Sequence, residues 1–151
     1  MGNILLEDEG LGIRALEILQ RDYVFPDSVE LLDGGTTGMG LLDDISGRAH
    51  LVVLDAVQTG AEPGTLIELR GDQVPVYFGL RVSPHQLGLS DVLATLELSG
   101  EKPLAVSVLG LVPHSLDLSL ELSAPIKARL GSLVEAAVAE LARIGYPARI
   151  R

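Results

Sequence analysis

The sequence predicts an α/β fold, a three-layer α/β/α sandwich around a mostly parallel twisted sheet, on three observations. Apolar runs of strand length alternate along the chain with segments whose apolar residues recur at helical spacing, and the connections between them are short. One run, His50-Leu51-Val52-Val53-Leu54-Asp55-Ala56, is continuously apolar until its acid, the pattern of a strand buried on both faces of a parallel sheet. The length, 151 residues, suits one compact domain, whereas two domains would each be undersized.

Residues 10–22 carry Leu11, Ala15, Ile18 and Leu19 at helical spacing, with Ile13 and Leu16 widening the stripe. Asp8 and Glu9 stand where a helix N-terminus favours acids. After Phe25-Pro26-Asp27, the stretch Val29-Glu30-Leu31-Leu32 reads as a strand opening into the loop Asp33-Gly34-Gly35-Thr36-Thr37-Gly38, and a short helix burying Met39, Leu42 and Ile45 is expected next. The strand over residues 50–56 places Asp55 at its carboxyl end, the edge of an open α/β sheet where ligands bind. Residues 65–69 alternate and read as another strand, with Gly60 to Gly64 as the connecting loop.

Residues 86–98 put Leu89, Val92, Leu93 and Leu96 on one stripe, so His85 falls near a helix start. Residues 104–112 form a second mostly apolar strand. The clearest helix covers 125–144, with Ile126, Leu130, Leu133, Val134, Ala137, Val138 and Leu141 in register, Ser123 as its N-cap and Pro125 in its first turn. Doubly wound proteins begin with a buried strand that leads into a Gly-rich turn. Here Gly2-Asn3 follows directly on Met1, so the usual first strand is expected to be missing from this chain, leaving two unpaired edges and a tendency to aggregate or to recruit a neighbour's strand.

Composition narrows the function. Aromatic residues are 3% of the chain and Trp is absent, which leaves little for stacking bases. The net charge of -10 repels phosphate backbones and anionic lipid head groups, so neither nucleic acid nor a membrane surface is expected as a partner. With no Cys, disulfides, thiolate nucleophiles and iron–sulfur clusters are excluded, and any metal site must use carboxylates and imidazoles. No apolar run approaches the roughly 20 residues that span a bilayer, and the N-terminus carries no basic region followed by an apolar stretch; a cytoplasmic protein is the simplest reading.

Three side chains stand out for chemistry. Glu9, Asp55 and His85 would supply two oxygens and one nitrogen from three loops on one sheet edge, a coherent set for a borderline divalent ion such as nickel or zinc. Their separations are too wide to form a local motif, and each has a plain alternative: Glu9 as a helix-dipole acid, Asp55 as a loop cap, His85 as a satisfied polar residue. The acids Glu7, Asp8 and Glu9 oppose phosphate binding in the N-terminal glycine turn. His50 and His114 read as edge or surface residues. No Gly-x-Ser-x-Gly elbow supports a serine hydrolase.

Five blocks in order carry a resemblance that covers nearly the whole chain: Gly2-Asn3-x-Leu5-x-x-Asp8-Glu9-x-x-Gly12, Asp33-Gly34-Gly35-Thr36, Leu54-Asp55-Ala56, Ser83-Pro84-His85-Gln86-Leu87-Gly88 and Gly110-x-x-Pro113. Together they resemble the nickel-iron hydrogenase maturation endopeptidases, which implies a single protease domain over residues 1–151. The resemblance implies removal of a C-terminal peptide from the hydrogenase large-subunit precursor after nickel insertion. It implies that Glu9, Asp55 and His85 contact nickel supplied by that substrate, a site that zinc or cadmium can also occupy. The Asp33-Gly34-Gly35-Thr36 loop is then a channel for the peptide, with Asp33 the candidate to orient water or a peptide group and Gly34, Gly35 and Thr36 lining it. A monomer is expected where the first strand is present. A nonenzymatic nickel-sensing assembly module of the same fold is the alternative.

Overall fold

The computed structural model describes residues 10–32, 46–57, 59–74, 94–101, 103, 105–114 and 122–151. Helix α1 (Leu11–Asp22) buries Leu11, Ala15 and Leu19, the stripe that its periodicity predicts. It begins at Gly10 without a side-chain cap and ends at Tyr23, where the backbone turns extended. Tyr23–Val24 form β1, a two-residue strand paired antiparallel with β5 (Arg149–Ile150) near the end of the chain. The predicted strand at residues 29–32 does not form: this stretch has no ladder, and Val29 donates its N–H to the Pro26 carbonyl at 2.9 Å in a turn. A short apolar stretch is not sufficient for a strand here. Proline and the turn that follows it engage the backbone locally, while Leu31 still packs against the core.

The main sheet has the order β2-β4-β3. Strands β2 (His50–Ala56) and β4 (Ala105–Leu111) pair in parallel over their whole length, with Asp55 opposite Gly110. Strand β3 (Leu66–Arg70) lies on the other side of β4 and runs antiparallel to it, so the described sheet is mixed. Length explains the reversal: only residues 57–65 join β2 to β3, and a parallel return needs a crossover of about a dozen residues or more.

Helix α2 (Ala124–Arg143) closes the core. Its Ile126, Leu130, Leu133, Val134 and Ala137 meet the buried face of α1 and Leu54, Ala56, Leu109 and Leu111 of the sheet in one cluster. Full burial of a Leu or Ile side chain is worth roughly 1.5–3 kcal/mol, so this stripe is the main reason the helix docks. Ser123 occupies the N-cap position with extended backbone and Pro125 stands in the first turn, as predicted, although the Ser123 side chain makes no capping hydrogen bond. Side chains alternate across a strand. Val53 and Val108 therefore face away from α1 and α2, and both are buried as well.

Residues 94–99 are helical and bury Leu96, consistent with the end of the helix predicted over 86–98. The remainder of that helix, the predicted helix at 39–45 and the N-terminal turn to which the missing strand was referred lie outside the described residues.

Candidate functional site

Asp55 is the penultimate residue of β2, next to its carboxyl end at Ala56. Asp55 has no exposed surface, and its Oδ1 accepts the N–H of Ala56 at 2.8 Å. A buried carboxylate is costly unless hydrogen bonds, a cation or a proton compensate it. By strand alternation its side chain lies on the sheet face away from α1 and α2.

The surrounding backbone is closely tied. Val57 donates to the Leu111 carbonyl at 3.1 Å, Gly64 donates to the Val112 carbonyl at 2.8 Å, and Val112 donates to the Thr65 carbonyl at 3.0 Å. The loop that leaves Asp55 is thus fastened at both ends to the segment that leaves Gly110. Arg129 of α2 adds a contact from Nε to the Gly64 carbonyl at 3.2 Å. Gly64 adopts φ +88°, a left-handed conformation open to glycine at little cost.

Of the residues predicted for the site, Asp55 is the one the structure describes. Glu9, His85, Asp33, Gly34, Gly35 and Thr36 lie outside the described residues. Gly10, which follows Glu9 in the chain, heads α1. That helix ends beside β5, which follows the C-terminus of α2, so α1 and α2 both start toward the edge that holds Asp55. Among the described residues no three His, Asp or Glu side chains cluster as metal ligands. His114 is exposed, as predicted, and His50 opens β2 half-buried.

Gly110 is the position that sequence reasoning left without a role. A Cβ built there would overlap the backbone carbonyl oxygen of Asp55 and stand 2.7 Å from Cγ2 of Val57. A glycine inside an apolar strand is the available sequence signal for such a close approach.

The opposite end of the sheet carries a charged cluster of a different kind. Glu140 of α2 is fully buried at its side chain and accepts from Arg70 Nε at 3.0 Å, from Arg143 Nε at 2.7 Å and from Ser107 Oγ at 2.6 Å. Hydrogen bonds from Arg143, with Arg70 and Ser107, hold its carboxyl well below the usual carboxylate range against the opposing effect of burial. It ties three elements together, with each carboxylate oxygen satisfied, and is a structural clamp.

A family model described as hydrogenase maturation protease matches residues 13–140. The chain belongs to the hydrogenase maturation proteases. The protease is 43% identical over 149 residues to the Hydrogenase 2 maturation protease of Escherichia coli K12, which covers 98% of this chain and 91% of that one. It is 41% identical to the hydrogenase expression/formation protein HoxM of Azotobacter vinelandii over 100% of this chain and 74% of the relative. Among solved structures, the hydrogenase maturating endopeptidase HybD from E. coli superposes with a TM-score of 0.94 at 43% identity, covering 99% of this chain and 93% of that one. The nickel-iron hydrogenase maturation protease HybD from Thermococcus kodakarensis superposes at 0.75 with 27% identity, over 93% and 94% of the two chains. The protease is accordingly a peptidase. No helix among its described residues is long and apolar enough to cross a membrane.

Proposed function

We propose that this protease removes the C-terminal peptide of a nickel-iron hydrogenase large-subunit precursor after nickel has been inserted, and that the nickel in the substrate is what it recognises. The observation that carries the reading is the 43% identity with the hydrogenase 2 maturation protease along 98% of the chain. Asp55, a buried carboxylate at the carboxyl end of β2, supports it from the fold. The fold reading that accompanies it is a three-layer sandwich, supported by burial of Val53 and Val108 on the sheet face opposite α1 and α2.

In this proposal Glu9, Asp55 and His85 contact the substrate's nickel, and zinc or cadmium can take the same two carboxylates and imidazole. Asp33 orients the attacking water or the scissile peptide group, and Gly34, Gly35 and Thr36 border the path of the C-terminal peptide. Discrimination follows from electrostatics. A precursor without nickel forms no ligand bonds and leaves the repulsion between the protease's two carboxylates unrelieved, whereas a nickel-bearing precursor gains from both.

The test is incubation of the protease with nickel-loaded and nickel-free large-subunit precursor, read by the mobility and mass of the large subunit. Cleavage confined to the loaded precursor is expected. Equal cleavage of both forms removes nickel as the recognition element, and cleavage of neither removes the substrate assignment.

A further inference from the structure

From Val108 to Leu111, strand β4 would be an unbroken run of apolar core side chains but for Gly110. Its neighbours Val108, Leu109 and Leu111 are fully buried apolar side chains, and glycine at this place forfeits both β-propensity and packing. The register gives the reason for the exception. Gly110 stands opposite Asp55 in the parallel pair and opposite Ile67 in the antiparallel one. Any Cβ at 110 would overlap the Asp55 carbonyl oxygen, and would also meet Val57 Cγ2 at 2.7 Å.

The two obstacles differ in kind. A side-chain methyl can rotate aside, whereas the Asp55 carbonyl belongs to the backbone and yields only if the strand moves. The strand is held on both sides of the displaced peptide: Val57 beyond it donates to the Leu111 carbonyl at 3.1 Å, and Leu54 before it pairs with Leu109 in the parallel ladder. A side chain at 110 therefore moves Asp55 itself.

We propose that Gly110 is a positioning residue, kept free of a side chain so that the backbone of Asp55 can approach β4 and set its carboxylate at the carboxyl edge of the sheet. The proposal rests on the role given to Asp55 above. A group that contacts a metal or a reacting peptide tolerates only a small displacement, so the effect of a bulkier residue falls on turnover as well as on folding.

The experiment compares Gly110→Ala, Asp55→Asn and a control, Val108→Ala, which empties space in the same buried strand opposite Val53. The readouts are kcat and KM, per folded molecule, for C-terminal processing of nickel-loaded large-subunit precursor, and the position of the Ala56 amide in a ¹H–¹⁵N spectrum. For Gly110→Ala we expect kcat to fall at least tenfold and the Ala56 amide to move, while Val108→Ala lowers the melting temperature but keeps kcat within twofold and leaves that amide in place. A Gly110→Ala protein with kcat within twofold of the parent overturns the proposal while the role of Asp55 stands. Full activity of Asp55→Asn overturns that role, and the proposal with it.

If Gly110→Ala does not fold, the double variant Val57→Ala/Gly110→Ala removes the methyl and keeps the backbone overlap. Folding with depressed kcat supports the proposal, and folding with full kcat overturns it. Failure of the double variant to fold while Val57→Ala alone folds also overturns it, since glycine would then serve the fold and not the site.

Discussion

Ser107 on β4 donates its hydroxyl to Oε2 of Glu140 on α2 at 2.6 Å, and both residues are buried. Arg70, at the end of β3, approaches the same carboxylate from a half-exposed position, and Arg143 reaches it from one helical turn further along α2. One acid thus joins a helix to two strands at the end of the sheet away from Asp55.

Replacing Glu140 by Gln keeps the shape and removes the charge. The two guanidiniums are exposed enough to rehydrate, which moderates the penalty, but Ser107 is not, and an amide cannot accept from all three donors at once. Glu140→Gln is expected to lower unfolding free energy by about 2 kcal/mol, measured by urea denaturation, with processing activity per folded molecule unchanged.

Acid should reverse that contribution. The carboxyl of Glu140 is depressed from its ordinary value of 4.5, so between that value and its folded-state value the unfolded chain binds more protons than the folded one. Stability from this group is complete above about pH 4.5 and is lost as the pH falls toward the depressed value. Denaturation midpoints of the parent and Glu140→Gln should differ most near neutrality and converge below pH 4. A gap that widens in acid would contradict the assignment.

Glu140 also illustrates what sequence patterning conveys. Its spacing from Leu133 and Ala137 puts it on the apolar stripe of α2, yet glutamate ordinarily marks a solvated face, and its partners Arg70 and Ser107 are remote in sequence. The stripe itself was legible, as were the stripe of α1 and the apolar runs of β2 and β4, because periodic burial is a local property. The β1–β5 ladder was not: two residues on each strand carry no period, and the pairing depends on where the C-terminal segment arrives. At the site, the closing acid of an apolar run placed Asp55 correctly at a strand end. The glycine inside the apolar run of β4 signalled a close approach, but what approaches was not legible, since it is a backbone oxygen of another strand.

Asp55 supplies a direct functional prediction. Asp55→Asn preserves volume and one acceptor oxygen, so the fold is expected to persist, but the negative charge offered to a substrate-borne cation disappears. Processing of the nickel-loaded precursor should fall at least about a hundredfold, a loss of roughly 2.7 kcal/mol in transition-state stabilisation. Undiminished turnover, measured by mass spectrometry of the released peptide, would exclude Asp55 from the site.

His50 should respond in the opposite direction. Its Nδ1 is buried without a hydrogen-bond partner among the described residues, and its ring meets Tyr146 edge-on at 6.1 Å between centroids. An unsatisfied buried polar atom costs about 1–3 kcal/mol, and phenylalanine removes it while keeping an aromatic edge. His50→Phe is expected to stabilise the protein by about 1 kcal/mol, seen as a higher melting temperature. A lower one would mean that the nitrogen is hydrated or bonded in solution.

Gly64 tests whether the loop beyond Asp55 is held by backbone conformation or by packing. Its φ of +88° disfavours any side chain, and a Cβ there would stand 3.0 Å from Cγ of Arg129. The two penalties can be separated, because the Arg129 stem is flexible and the backbone is not: Gly64 donates to the Val112 carbonyl at 2.8 Å and cannot relax its φ without giving up that bond. Gly64→Ala should therefore destabilise the protein by about 1–2 kcal/mol. Adding Arg129→Ala to it should restore little of that loss, since the truncation opens space without changing φ and also removes the Nε contact to the Gly64 carbonyl. Substantial recovery in the double variant, measured by urea denaturation, would assign the cost to crowding and show that the loop tolerates another backbone conformation.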